Sequence, residues 1–409
     1  MPGAHFQLVA SSTADTLLYG SPQVVFFKSV WRRPTPHAVE AVLQSWNGTA
    51  DFGRKCSCTI ARIGDLCHRL WLQVTLPALP PALRWTNAVG LALVKLAECE
   101  LGGVVLDRHV AEWEDAWSEL SHDQGKRKGF NRMVGRLEDW DPRDDAKCLG
   151  SQDATLYVPL SFWFSGSEPG NALPLVAITY HALRINLEFR RLDELVVSSD
   201  PAVSVERAMS ASFVPPSVID MQLYADMVYL ASSERRRWAK MPHELLITSV
   251  QQVVEDIIIV DGNPQRNRRI QLPFSHPLKE LVWVYVPNEP EQSTGARFFD
   301  YRHAFDGIAV LTNSQERQTQ RPGSYFTCVQ PFQHHTHVPD KPIYVYSFAL
   351  QPEPMQPSGS LNATALSLEL AFRVTMPERS QGKIMCFAVG YNVLRIANGL
   401  SGIAFSSAA

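Results

Sequence analysis

The chain has no long hydrophobic run: no window approaches the roughly 18 uninterrupted apolar residues that a membrane-spanning helix needs. Met1 to Ser12 carries no charged stretch followed by an apolar one, so no secretory leader is expected. An excess of charge of one sign is also missing. With 38 Lys and Arg against 41 Asp and Glu, the net charge is −3, which disfavours wrapping nucleic acid by counterion release. Cysteine is sparse and odd in number, seven in 409 residues, and widely spaced except for Cys56 and Cys58. A secreted disulfide framework is therefore unexpected, and reduced thiols in a cytosolic compartment fit better. On a strand Cys56 and Cys58 would share a face, with Cys67 and His68 as the only nearby further ligands for a zinc site.

Complete catalytic signatures are lacking as well. There is no glycine-rich phosphate loop and no Gly-x-Ser-x-Gly elbow. His243-Glu-Leu-Leu-Ile247 opens like a zinc-protease helix but puts Ile247 where the second histidine must be. Asp139, Asp141, Asp144 and Asp145 suggest a calcium loop, yet Arg143 takes a ligand position and no glycine provides the turn. A solvated acidic loop is the simpler reading. His335 and His337 would face the same way on a strand, near His334, and could bind a metal or titrate together. No third ligand stands at a sensible spacing, so interface or hydrogen-bonding histidines are expected, with no cofactor and no metal.

What is present is a pattern of short strands. A chain of 409 residues is too long for one ordinary core, and 45% hydrophobic against 19% charged residues can fill two. Its 28 prolines and 23 glycines are scattered, as suits many strands joined by turns. Val24–Phe27, Cys58–Ile63, Leu70–Leu76, Leu156–Phe164 and Ile185–Arg190 read as strands, with Ile185, Leu187 and Phe189 on a buried face. From Leu106 to Leu120 the period changes. Val110, Trp113, Trp117 and Leu120 fall on one side of a helix, and Glu112, Glu114, Asp115 and Glu119 take much of the rest.

The second half echoes the first. Leu368–Arg373 resembles Ile185–Arg190 at an offset of 183 (368 minus 185), and Tyr344–Phe348 resembles Tyr157–Phe162 at 187 (344 minus 157). Leu281–Val284 resembles Leu70–Val74 at 211 (281 minus 70), the larger offset expected if a helical insertion lies in the first copy only. The reading is all-β: two tandem antiparallel eight-stranded jelly rolls, the first carrying the insertion. The expected divisions are an arm over 1–20, a first roll over 21–214 with its insertion at about 105–150, and a second roll over 215–409. The junction would fall at Pro215-Pro216.

Basic clusters stand at Lys126–Lys128 with Arg132 and Arg136, at Arg235–Arg237 with Lys240, and at Arg266, Arg268 and Arg269. Acidic residues are interspersed, so solvated faces or subunit ion pairs are expected rather than a specific nucleic-acid partner. Asn47-Gly-Thr49 and Asn362-Ala-Thr364 fit the glycan-acceptor pattern and, without a leader, are expected to stay unmodified.

One stretch is more specific. Val329-Gln-Pro-Phe-Gln-His-His-Thr-His-Val-Pro-Asp-Lys-Pro-Ile-Tyr-Val-Tyr-Ser-Phe-Ala-Leu-Gln-Pro352 reads as a proline-punctuated loop feeding a strand. Its wording closely resembles a signature of the double jelly-roll major capsid proteins of nucleocytoplasmic large DNA viruses. The resemblance continues in Tyr19-Gly-Ser-Pro-Gln-Val-Val-Phe-Phe-Lys28, Trp46-Asn-Gly-Thr-Ala-Asp-Phe-Gly53, Gly129-Phe-Asn-Arg-Met133, Ser275-His-Pro-Leu-Lys-Glu-Leu281 and Tyr391-Asn-Val-Leu-Arg-Ile396. These cover nearly the whole chain in order.

The resemblance implies a structural protein, not an enzyme, that trimerises into pseudo-hexagonal capsomers tiling an icosahedral shell. Its implied partners are other copies of itself and minor capsid and penton proteins, with an internal viral membrane as a further candidate. The implied location is the virion capsid, made and assembled in host cytoplasm. Two alternatives stay open: a low-copy minor capsid paralogue, and a double β-sandwich that binds glycans or acts as a glycan-directed amidase. An amidase would need two converging carboxylates, for which Glu188 and Glu369 are the candidates. Both alternate with buried strand positions and are expected to face solvent or a partner.

Overall fold

The structure is a computed structural model that describes residues 3–10, 12–166, 168–200, 203–212, 214, 217–258, 267–287, 298–375 and 381–405. The chain separates into two compact units, 1–36 and 37–409. The first has two short helices, Gly3–Val9 and Thr13–Tyr19, the second started by a Ser12/Asp15 capping box. None of its described residues is buried. The strand expected at Val24–Phe27 does not form: with no neighbouring strand to pair with, these residues stay irregular and exposed. The arm is accordingly longer than the 1–20 expected.

Sixteen strands of the second unit build two sandwiches. In the first, β1 (His37–Gln44), β2 (Lys55–Thr59), β3 (Leu66–Leu76), β4 (Val94–Leu101), β5 (Val104–Val110), β6 (Ala154–Pro159), β7 (Leu183–Phe189) and β8 (Asp220–Leu230) form two sheets, ordered β1-β8-β3-β6 and β2-β7-β4-β5. In the second, β9 (His243–Ile258), β10 (Asn267–Leu272), β11 (Pro277–Pro287), β12 (Phe305–Thr312), β13 (Gln315–Arg321), β14 (Tyr344–Ser347), β15 (Leu368–Val374) and β16 (Gln381–Ala397) repeat that order as β9-β16-β11-β14 and β10-β15-β12-β13. The ladders are antiparallel, and the order is that of a jelly roll, twice.

All three sequence echoes fall on matching strands. The offset is 211 at β3/β11 (277 minus 66) and at β5/β13 (315 minus 104), then drops to 190 at β6/β14 (344 minus 154). The drop lies where the first sandwich inserts α1 (Ala111–Ser121) and α2 (Gln124–Val134). The helix starts at Ala111, not near Leu106, because Val104–Val110 is held as a strand by its ladder to β4. The second copy is not without a helix here: Tyr325–His334 is helical between β13 and β14, where a loop was expected. It is shorter, a π-helical turn (Tyr325–Val329) running into a single α turn (Gln330–His334).

Pro215 and Pro216 lie outside the described residues, but β8 lies beyond them and pairs with β1 and β3. The strand that a junction at 215 would give to the second roll therefore hydrogen-bonds into the first. The sequence between those prolines and β8 is too short to carry an independent edge, so the β1–β3 gap fixes where β8 goes. α3 (Ser232–Lys240) then leads into β9.

The core explains how the sandwiches meet. Along β11, Leu281, Trp283 and Tyr285 enter the second sandwich's own cluster. Val282 and Val284, on the opposite face, join the cluster that fills the first sandwich. With Phe387, Val389, Ile343 and Val345 on the same side, this sheet is buried on both faces. One apolar mass thus runs from the first core to the outer side of the second sheet.

Candidate functional site: a buried ionic seam between the sandwiches

α1 is what fills the joint. Its stripe puts Trp113 against Phe387 of β16 (centroids 5.4 Å) and stacks Trp117 on Trp113 (5.4 Å). The Lys279 ammonium of β11 sits 6.0 Å above Trp117 and 5.7 Å from Tyr391, and its burial lowers its pKa.

The other side of α1 carries buried charge. Asp115 is fully buried and takes the Arg136 guanidinium and Lys341 Nζ (2.9 Å). Glu119 takes Arg136 (2.7 Å) and Arg127 (2.8 Å), and Lys341 Nζ lies 3.9 Å away. Lys341 comes from the second sandwich, the arginines from α2 and the residues just after it. Burial, with Asp115 and Glu112 nearby, pushes the Tyr301 hydroxyl well above its usual range, and it donates to the Glu112 carbonyl (3.2 Å). Two carboxylates against three cations leave no buried charge uncompensated, as this low-dielectric setting requires.

Two histidines flank α1, each clamped by two carboxylates. His109 lies 2.9 Å from Asp107 and 2.9 Å from Glu114. His335 lies 3.0 Å from Glu280 and 3.1 Å from Glu353. Burial alone would strip these rings of their second proton. The carboxylates outweigh it, raising His109 to about 10 and His335 to about 9. The Glu280 oxygens have no aligned hydrogen-bond donor among the described residues, so the imidazolium compensates them mainly through charge. Asp107 also accepts the Val250 N–H of β9 (3.0 Å), a direct link between sandwiches.

The expected histidine cluster is therefore dispersed. His334 ends a helix and meets the Leu350 carbonyl (3.0 Å), while His337 meets the Glu119 carbonyl (2.9 Å) and Arg127 (3.1 Å). His335 and His337 do not share a strand face: the helical turn Gln330–His334 ends just before them, and both lie in irregular backbone. His243 lies on β9, stacked on Trp238 and bonded to its carbonyl (2.7 Å). Cys56 and Cys58 do share a buried face, where burial raises their thiols to about 12 and about 11. His68 meets the Phe164 carbonyl (2.8 Å). In the acidic loop Asp141 binds Arg143 (2.9 and 2.8 Å), Asp144 caps Ala146 (3.0 Å) and Asp145 pairs with Arg84. Among the described residues no three His, Cys, Asp or Glu are placed to hold a metal.

The two candidate carboxylates do not converge. Glu188 pairs with Lys55 (2.8 Å) and Lys95 (2.7 Å) on the first sandwich. Glu369 is buried on the second, against Arg269 (3.5 Å), so its expected exposure is wrong: Ser314 of the β12–β13 turn donates to it (3.2 Å) and covers it. The basic clusters are partly spent internally, Arg127 and Arg136 on α1 and Arg235 on Asp65 (2.9 Å); Arg266 lies outside the described residues. Asn47 and Asn362 are both exposed. Sequence reasoning missed Lys279 and Glu280, two charges inside an otherwise apolar strand. That interruption was the available signal.

Comparison with known proteins agrees with the double sandwich. A family model described as major capsid protein N-terminus matches residues 25–231, and one described as large eukaryotic DNA virus major capsid protein matches residues 234–402. The chain is 36% identical over 433 aligned positions to the major capsid protein of Pyramimonas orientalis virus, with both chains covered in full. To that of Phaeocystis pouchetii virus it is 31% identical over 527 positions, again in full. Among solved structures, the PBCV-1 virus capsid matches 94% of this chain and 100% of its own at TM-score 0.77 and 27% identity. The Faustovirus major capsid protein shares the fold at TM-score 0.73 and 12% identity, covering 95% of each chain.

Proposed function

Since this chain belongs to the large eukaryotic DNA virus major capsid proteins, structural components of the virion shell and not enzymes, we propose that three copies close into a pseudo-hexagonal capsomer that tiles an icosahedral face. The observation that carries this is the repetition of one strand order in two sandwiches packed side by side. Three chains then supply six near-equivalent blocks, and a ring of three needs only one kind of heterologous contact. A jelly roll limits the number of free strand edges, so side-by-side packing need not run on into unlimited strand pairing.

In this reading the rolls divide after Leu230, supported by the pairing of β8 and by family matches that end at 231 and resume at 234. Further partners are minor capsid and penton proteins and an internal viral membrane, with assembly in host cytoplasm. Asn47 and Asn362 are the exposed positions an added glycan would occupy, which an intact mass would reveal. The test of the capsomer is the native mass of purified protein with negative-stain images of the same peak. A species near 137 kDa (three times 45.8 kDa) with hexagonal outlines is the expected result. A protein that stays monomeric under every folding condition, chaperones included, refutes it.

A further inference from the structure

The two matching sheets are covered unequally. The outer face of β9-β16-β11-β14 is closed within the chain by α1, whose Trp113 lands on Phe387. Phe387 stands opposite Val282 in the ladder. At the offset of 211, Val282 corresponds to Trp71 of β3 (282 minus 71), and the residue opposite Trp71 is Tyr224 of β8. Leu43 of β1 continues that row, and Tyr157 stands one step along on β6. In the first sheet this row is not covered: Leu43 and Tyr157 are exposed, and Trp71 and Tyr224 are half-buried. An aromatic row on an open sheet face is the kind of patch that marks an interface.

The matching plug is also present and unused. α1 sits between β5 and β6, and its counterpart between β13 and β14 is the helical segment Tyr325–His334. Where α1 buries Trp113, this segment presents Phe332 at 79% exposure, with Val329 beside it also exposed. Within the chain, then, one plug fills one socket, leaving one plug and one socket free. Plug and socket lie on different sandwiches, so repeating the internal contact between chains generates a ring.

We propose that the occupant of the first sandwich's open sheet is a second copy of this chain, whose Val329–Phe332 turn packs on the Leu43–Tyr224–Trp71 row as α1 packs on Phe387. The assignment rests on the trimer proposed above and names its contact surface.

The test uses paired cysteines in the full chain, with the exposed Cys328 first changed to Ser. Tyr224→Cys combined with Phe332→Cys is expected to give, on mild oxidation, covalent trimers on a denaturing gel, while either single change gives monomers. A native trimer that yields no covalent ladder overturns the surface and leaves the trimer standing. A wild-type chain that never trimerises overturns both. Phe332→Asp, at a site too exposed to disturb folding, is expected to raise the concentration for half-assembly by about tenfold or more. An unchanged concentration profile overturns the proposal.

Discussion

Raising the pH should loosen this protein earlier than an ordinary β-sandwich, because two buried imidazolium ions help hold its halves together. His109 and His335 have native pKa values of about 10 and about 9 against about 6.5 unfolded. A raised native pKa means that the stabilisation is complete below about pH 6.5 and drains away as pH climbs toward the native value. Between those limits each group costs about 1.4 kcal/mol per pH unit. From pH 6.5 to 8, where the unfolded chain's cysteines are only beginning to ionise and its tyrosines are not, each histidine thus removes about 2 kcal/mol, roughly 4 kcal/mol together. For 409 residues the unfolding entropy is on the order of 0.9 kcal/mol/K, so the melting temperature should fall by about 5 °C over that interval. Melting curves at fixed protein concentration, taken at quarter-unit pH steps, would read this directly. His335→Gln should melt lower at pH 6.5 and show about half the wild-type pH slope. A variant slope equal to the wild-type slope would refute the charged clamp and make His335 a neutral packing residue.

Other substitutions test the joint and the core separately. Trp163, 5% exposed beside Phe164, should cost roughly 3–5 kcal/mol on change to Ala by chemical denaturation, and a loss below about 1 kcal/mol would place it outside the core. Arg136→Met leaves buried Asp115 to Lys341 and Tyr301 and should destabilise by about 3–5 kcal/mol. The double change Arg136→Met with Asp115→Leu should recover much of that loss, and equal losses in both would mean that the seam contributes little. Gly399, at φ 81° in the turn after β16, has its carbonyl bonded by the Thr179 and Tyr180 N–H groups (3.0 Å each). A Cβ there would meet Tyr180 and Thr179 at 2.9–3.0 Å, so Gly399→Val should free the last hairpin from the first sandwich, seen as faster hydrogen exchange over 400–403.

How much of this was legible in the sequence depends on whether local pattern or long-range pairing decides each element. Ile185–Phe189 alternates, pairs on both sides, and buries the three side chains the alternation selects. The echo of Leu70–Val74 in Leu281–Val284 lands on equivalent strands because each copy must present the same face to its own core. Val24–Phe27 has equal strand propensity and forms none, because propensity without a neighbouring strand does not offset the backbone entropy. β8 was assigned across a junction because prolines mark turns, not the sheet to which the next strand returns. The charged seam was least legible. Asp115 and Glu119 read as the solvent side of an amphipathic helix, and only the arrival of Arg136 and Lys341, from 21 and 226 positions away, turns that side inward.

That error has a physical reading. A helix lying on one sandwich has a dry side and a wet side, and sequence periodicity describes such a helix. α1 lies between two sandwiches and has two dry sides, one apolar and one ionic. The apolar side supplies area, and the ionic side restricts the angle at which the sandwiches meet, since buried Asp115 gains its second cation only when Lys341 of the second sandwich reaches it. In the proposed ring of three, a block that repeats at a fixed rotation needs that second property more than the first. It follows that a seam variant that recovers most of its stability, such as Asp115→Leu with Arg136→Met, should still lower the fraction of closed rings in native mass measurements. Unchanged ring closure in such a variant would show that packing of Trp113 and Trp117 alone sets the angle.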